Sequence, residues 1–160
     1  MKEKEKVFLT VRSHFRDAAA DAETAAEEMD RFEKEALLER RGGSVIVQTV
    51  RAEDSAERLS LVYDAGAGSL KVLRTGDAAL KMDLVRGRRS EAVFSAPSGK
   101  LALEVETLRL EETEGSGFSL ALEYRTYSGG RDLGSFSMEI RAEAVPKGGP
   151  QEEGTENDGR

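Results

Sequence analysis

Residues 59–74 read LSLVYDAGAGSLKVLR, and this stretch decides the fold class. Apolar side chains recur at every second position in both of its halves: Leu59, Leu61, Tyr63, Leu70 and Val72. The glycine-rich run 65–68 between the halves is typical of a tight turn. A period of two indicates a strand with one buried and one wet face. The stretch therefore predicts an antiparallel hairpin.

The same alternation continues on both sides of this hairpin. It is found in segments that begin at Val7, Leu101, Leu120 and Phe136, and Gly- or Pro-containing turns separate them. Short strands joined by tight turns predict an all-β antiparallel meander. Such a sheet usually closes on itself because closure removes its exposed edges. We therefore expect a barrel.

The segment from Asp17 to Arg41 is ambiguous. It is rich in Ala, Glu, Lys, Arg and Leu, and Gly42 and Gly43 follow it, so propensity predicts a helix. Its apolar positions also fit a weak period of two that includes Phe32 and Leu38. Tertiary context overrides propensity readily, so both interpretations stay open at this point.

The chain length of 160 residues favours one domain, which we place at residues 1–145. Residues 146–160 read PKGGPQEEGTENDGR and contain no large apolar side chain. Such a segment cannot offset its own ordering entropy, so we predict a disordered C-terminal tail.

Composition excludes several functional classes. The absence of cysteine removes disulfides, thiolate metal sites and Cys nucleophiles, and a net charge of −7 disfavours nucleic-acid binding. No apolar run is long enough for a membrane-spanning helix, and the N-terminus does not resemble a signal peptide. We expect a soluble, cytoplasmic protein without a cofactor, a membrane association or a nucleic-acid partner, whose protein partner, if it has one, is unknown.

Short motifs between residues 74 and 130 carry a family resemblance. They are Arg74-Thr75-Gly76, Lys81-Met82-Asp83, Phe94-Ser95-Ala96-Pro97-Ser98-Gly99, Thr107-Leu108, Leu122-Glu123-Tyr124 and Gly129-Gly130. In this order they resemble the YwiB-like family of small bacterial calycin-type β-barrels of unknown function. The turn that reads Thr-Pro-Tyr-Gly in that family has Ala96 and Ser98 here in place of Thr and Tyr.

The resemblance implies a calycin- or lipocalin-like barrel of about eight to ten strands between Val7 and Ala144. It also implies that Met29 to Arg40 form a strand. Residues 17–28 then become an acidic Ala/Glu-rich insertion after the first strand, with room for one or two helical turns.

Strand parity selects four candidate ligand-binding residues: Arg74, Tyr63, Thr107 and Tyr124. Arg74 shares a face with Leu70 and Val72, so it points into the barrel, where a guanidinium needs a partner. With the other three residues it would form a polar patch at one end of an apolar cavity, as in many ligand sites. The alternative is that these side chains close one end of a filled barrel.

The remaining polar residues suggest no catalytic site. His14, the lone histidine, has no partner that would make it a base, and the Glu104-x-Glu106 row is typical of a solvated strand face. Arg86, Arg88 and Arg89 lie around a predicted turn without an aromatic residue for base stacking. The sequence favours a non-enzymatic module that binds a small amphipathic or anionic ligand. A structural or adaptor protein that acts through its outer surface is the alternative.

Overall fold

The described residues form ten β-strands. A computed structural model describes residues 4–19, 27–50, 57–115 and 117–145. The strands are β1 (Lys4–Asp17), β2 (Glu27–Arg41), β3 (Ser44–Thr49), β4 (Arg58–Asp64), β5 (Ser69–Thr75), β6 (Ala79–Val85), β7 (Arg89–Ala96), β8 (Gly99–Glu112), β9 (Phe118–Ser128) and β10 (Arg131–Ala144).

Each strand pairs antiparallel with its neighbour in the chain, and β1 also pairs with β10, which closes the barrel. Val7 lies opposite Ala36 on one side and opposite Ala144 on the other. The prediction of an all-β antiparallel meander closed into a barrel is confirmed. Within the described ranges, no helix is long and apolar enough to cross a membrane.

The core lies inside the barrel and follows the alternation of the sequence. On β1, for example, Val7 and Leu9 are buried, whereas Phe8 between them is 43% exposed. The buried side chains of β4 are Leu59, Leu61 and Tyr63, as the opening hairpin predicts. Period-two burial removes the inward apolar side chains from water, and this burial stabilises the closed sheet.

The ambiguous second segment forms a strand. β2 runs from Glu27 to Arg41 and pairs with β1 and β3, and Phe32, Ala36 and Leu38 are buried on its inner face. The helix that propensity suggests is therefore wrong, because pairing on both edges and burial of one face outweigh the modest helix preference of these residues.

The strands also extend into both ends of the predicted acidic insertion. Asp17 belongs to β1, and Glu27 and Glu28 belong to β2, so the connection comprises residues 18–26. The predicted helical turns fall mostly on residues 20–26, which lie outside the described residues, as does the predicted tail at 146–160.

The barrel has two distinct ends. In the described residues, the turns at 76–78, 97–98 and 129–130 lie at one end of the barrel, which we call the open end. The turns at 42–43, 65–68 and 86–88 form the opposite end. Because neighbouring strands are antiparallel, the last residues of β5 and the first residues of β4 lie together at the open end, where the candidate site is found.

Candidate ligand-binding cavity

A cavity of about 780 Å³ opens at this end of the barrel. Inward-facing apolar side chains of most of the strands form its walls: Val11, Phe32, Leu59, Leu61, Val72, Leu80, Phe94, Phe136, Met138 and Ile140. The polar side chains in the lining are Ser13, Glu57, Arg74, Asp77 and Tyr124. The cavity therefore has mostly apolar walls with a few polar groups, as small-molecule sites usually have.

Arg74 reaches this cavity from the end of β5. Its Nη2 atom lies 2.6 Å from Oε2 of Glu57 and its Nε atom 3.1 Å from the same oxygen. The guanidinium also lies over the Phe32 ring, 5.3 Å from the ring centre. The side chain is 30% exposed. Arg74 is thus turned inward as strand parity predicts, and a carboxylate offsets its charge.

Tyr124 lines the same cavity from β9. Its ring stacks on Phe136 with 5.2 Å between the ring centres, and the residue is 5% exposed. Burial raises the pKa of the phenol well above its ordinary value. Of the groups that the structure describes, none forms a hydrogen bond with the Tyr124 hydroxyl.

The other two predicted site residues lie elsewhere, so the expected cluster of four is wrong. Tyr63 is opposite Leu70, near the far end of β4, and packs on Phe118 with 5.8 Å between the ring centres. It is four residues from Leu59, the strand partner of Arg74, a separation of about 13 Å along the strand. Burial raises the pKa of Tyr63, and the Glu112 charge adds to the shift.

Thr107 is the register partner of Tyr124 and points inward but does not line the cavity. It is fully buried, and its Oγ1 atom has no hydrogen-bond partner among the described residues. Its backbone is bound instead by the β6–β7 turn, since Gly87 N donates to Thr107 O and Thr107 N donates to Arg88 O.

Arg89, Glu104 and Glu106, which the sequence analysis considered as polar candidates, form ordinary interactions on the outer face of the barrel. Arg89 pairs with Glu104 at 3.1 Å and with Glu106 at 3.8 Å, and Tyr127 donates a hydrogen bond to Glu106. Arg89 also lies over the Tyr127 ring, 4.3 Å from its centre. These contacts support the interpretation of the Glu-x-Glu row as a solvated strand face.

His14 is half-buried and lies next to Ser137 on the outer surface of β1 and β10, away from the cavity. In the described part of the chain, no three His, Cys, Asp or Glu side chains converge as metal ligands.

Three polar residues of the cavity, Ser13, Glu57 and Asp77, were not predicted from the sequence. Ser13 continues the buried face of Val7, Leu9 and Val11 and could have been found by extending that alternation by one step. Glu57 precedes β4 in a connection without alternation. Parity can therefore not assign the direction of its side chain.

Comparisons with known proteins agree with this fold. A family model described as "Domain of unknown function (DUF1934)" matches residues 48–140, which is more than half of the chain. The crystal structure of the YwiB protein from Bacillus subtilis superimposes with a TM-score of 0.67 at 17% identity and covers 89% of this chain and 94% of that one. No curated protein matches the sequence. The chain belongs to the DUF1934 family, whose function is unknown, and is similar in fold to YwiB.

Proposed function

We propose that this protein is a non-catalytic binding module that holds a small amphipathic molecule in the cavity at the open end of the barrel. The observation that carries the proposal is the cavity of about 780 Å³ with its apolar walls. Cavities of roughly 300–1,000 Å³ hold most of the surface of a small organic ligand. The cytoplasm remains the compartment in which we expect this binding.

The rim of the cavity supports the same function. Phe94 and Leu101 are strand partners on β7 and β8 and are 37% and 53% exposed. Phe94 lines the cavity, so its apolar wall continues outward to the rim. A ligand whose apolar body lies against these side chains would remove that surface from water, at about 25 cal/mol for each Å² buried.

The alternative is a structural or adaptor protein with a filled barrel. The open cavity counts against a filled interior. The exposed apolar side chains on the outside, such as Leu73 at 46% and Leu108 at 49%, lie on different strands. Exposed apolar residues that are scattered in this way are normal on protein surfaces and do not by themselves mark an interface.

Fluorescence titration with N-phenyl-1-naphthylamine, an uncharged apolar dye, tests the proposal. We expect saturable binding by the wild-type protein and at least about tenfold weaker binding by Val72→Trp, because the indole occupies the cavity. Val62→Trp is the matched control, since Val62 lies on the neighbouring strand but faces outward.

Thermal melting of both variants reports whether they fold. Equal dye binding by two folded variants, or no saturable binding by the wild type, would contradict a ligand site in the barrel.

A further inference from the structure

We propose that the ligand is uncharged and carries a hydrogen-bond acceptor that the Tyr124 hydroxyl binds. This inference rests on the proposed function. This assignment differs from that of an anionic ligand anchored by Arg74. It names a chemical class: an apolar chain or ring system with a ketone, ester, ether or alcohol oxygen.

Tyr124 has a hydroxyl without a hydrogen-bond partner among the described residues. The residue is buried and lines the cavity. The hydroxyl oxygen is not among the fully buried polar atoms without a partner in the described residues, so it is accessible from the cavity. Burial raises its pKa, so the phenol keeps its proton at neutral pH and can donate it to an acceptor.

Ser13 places a second polar group on the same wall. It is 7% exposed, lines the cavity from β1, and its hydroxyl is likewise without a hydrogen-bond partner in the described part of the chain. A hydroxyl both donates and accepts. The cavity thus holds two neutral polar groups that a ligand can satisfy, in addition to the charged side chains of Glu57, Arg74 and Asp77.

The charges at the rim argue against an anion. The positive charge of Arg74 is already bound to Glu57 by two hydrogen bonds to one oxygen. Asp77 adds a second carboxylate to the lining. An anionic head group would therefore compete with Glu57 for Arg74 and would be repelled by both carboxylates, whereas a neutral group avoids both costs.

Displacement of N-phenyl-1-naphthylamine by two competitors with equal numbers of heavy atoms tests the inference. The competitors are 2-undecanone, a neutral acceptor, and decanoate, an anion. We expect 2-undecanone to displace the dye from the wild type at a lower concentration than decanoate. Tyr124→Phe should weaken the binding of 2-undecanone about fivefold to tenfold, which is the range expected for the loss of one hydrogen bond.

Two readouts separate loss of the hydrogen bond from damage to the cavity. Binding of the dye itself, which needs no donor, should change less than twofold in Tyr124→Phe. The control Tyr127→Phe removes a hydroxyl that bonds Glu106 on the outer face and should leave both competitors unaffected. Ser13→Ala provides a second variant, which should also weaken the binding of 2-undecanone more than that of the dye.

The inference would be overturned if decanoate displaced the dye at a lower concentration than 2-undecanone and Arg74→Met abolished this displacement. The proposed function would then still stand. An equal loss of dye and ketone in Tyr124→Phe would also overturn it. If the dye does not bind the wild type, the proposed function fails and this inference fails with it.

Discussion

Arg74 forms two interactions at the open end of the barrel and also lines the cavity. Its guanidinium pairs with Glu57, lies over Phe32, and contributes to the lining of the cavity. Both charged side chains keep contact with water, since Arg74 is 30% and Glu57 38% exposed. Water partly screens such a pair. The pair therefore contributes to the free energy of unfolding more as a surface pair does than as a buried one does.

We expect Arg74→Ala to lower the free energy of unfolding by about 1 kcal/mol, below the roughly 3–5 kcal/mol typical of breaking a fully buried pair. Arg74→Met should lose about half as much, because its chain retains the packing on Phe32. Urea unfolding measures both. Arg89→Met is the control for an exposed pair. A loss above about 3 kcal/mol for Arg74→Ala would show that the pair behaves as a buried one.

At the scale of the strand, the register of β10 against β9 shifts at a bulge between Asp132 and Gly134. Gly134 has a φ of +138°, a conformation that favours glycine. A methyl group at this position would overlap the carbonyl oxygen of Arg16 and approach the Phe15 ring to 2.8 Å. Phe15 packs on Phe136, which lines the cavity. The bulge therefore helps to set the position of the cavity wall.

Gly134→Ala should reduce the free energy of unfolding by about 3 kcal/mol, through backbone strain and the overlap with β1. Gly129→Ala is the control, because Gly129 has a φ of +58° with open space around it, and should cost about 1 kcal/mol. Chemical denaturation of the two variants gives the comparison. Equal losses would mean that strain alone, without the close contact, decides the cost at Gly134.

The strands show what local pattern can and cannot predict. Alternation identified the inner faces of β1, β4 and β9 because every second residue of a strand shares a face. It failed to decide β2, whose helix formers become a strand only because β1 and β3 pair with both of its edges. Such pairing is non-local, so it leaves little trace in the sequence of the segment itself.

The candidate site illustrates the same limit. Parity turned Arg74, Tyr63 and Tyr124 inward, and all three point that way. Parity gives the face of a residue but not its height in the barrel. The antiparallel register places Leu59 opposite Arg74 and Tyr63 opposite Leu70, and so Tyr63 lies toward the opposite end. The cavity itself depends on how inward volumes sum across ten strands, which no single segment encodes.

At the scale of the whole molecule, the pairing of β1 with β10 turns the meander into a barrel and leaves no edge between its first and last strands. The pairing runs from Val7 opposite Ala144 to Asp17 opposite Gly134. Beyond the strand itself, the backbone N–H of Val145 donates to the carbonyl of Lys6. The barrel is therefore complete within the residues that precede 146.

Deletion of residues 146–160 should leave the melting temperature within about 1 °C of the full-length value, since each 1 kcal/mol lost shifts it by several degrees in a domain of this size. The deleted residues contain no large apolar side chain, and thus nothing that could add to the core. Scanning calorimetry of the two chains makes the comparison. The matched control is the deletion of residues 142–160, which also removes Ala142, a buried partner of Leu9, and should lower the melting temperature clearly. A fall of several degrees for the shorter deletion would show that residues 146–160 dock on the barrel.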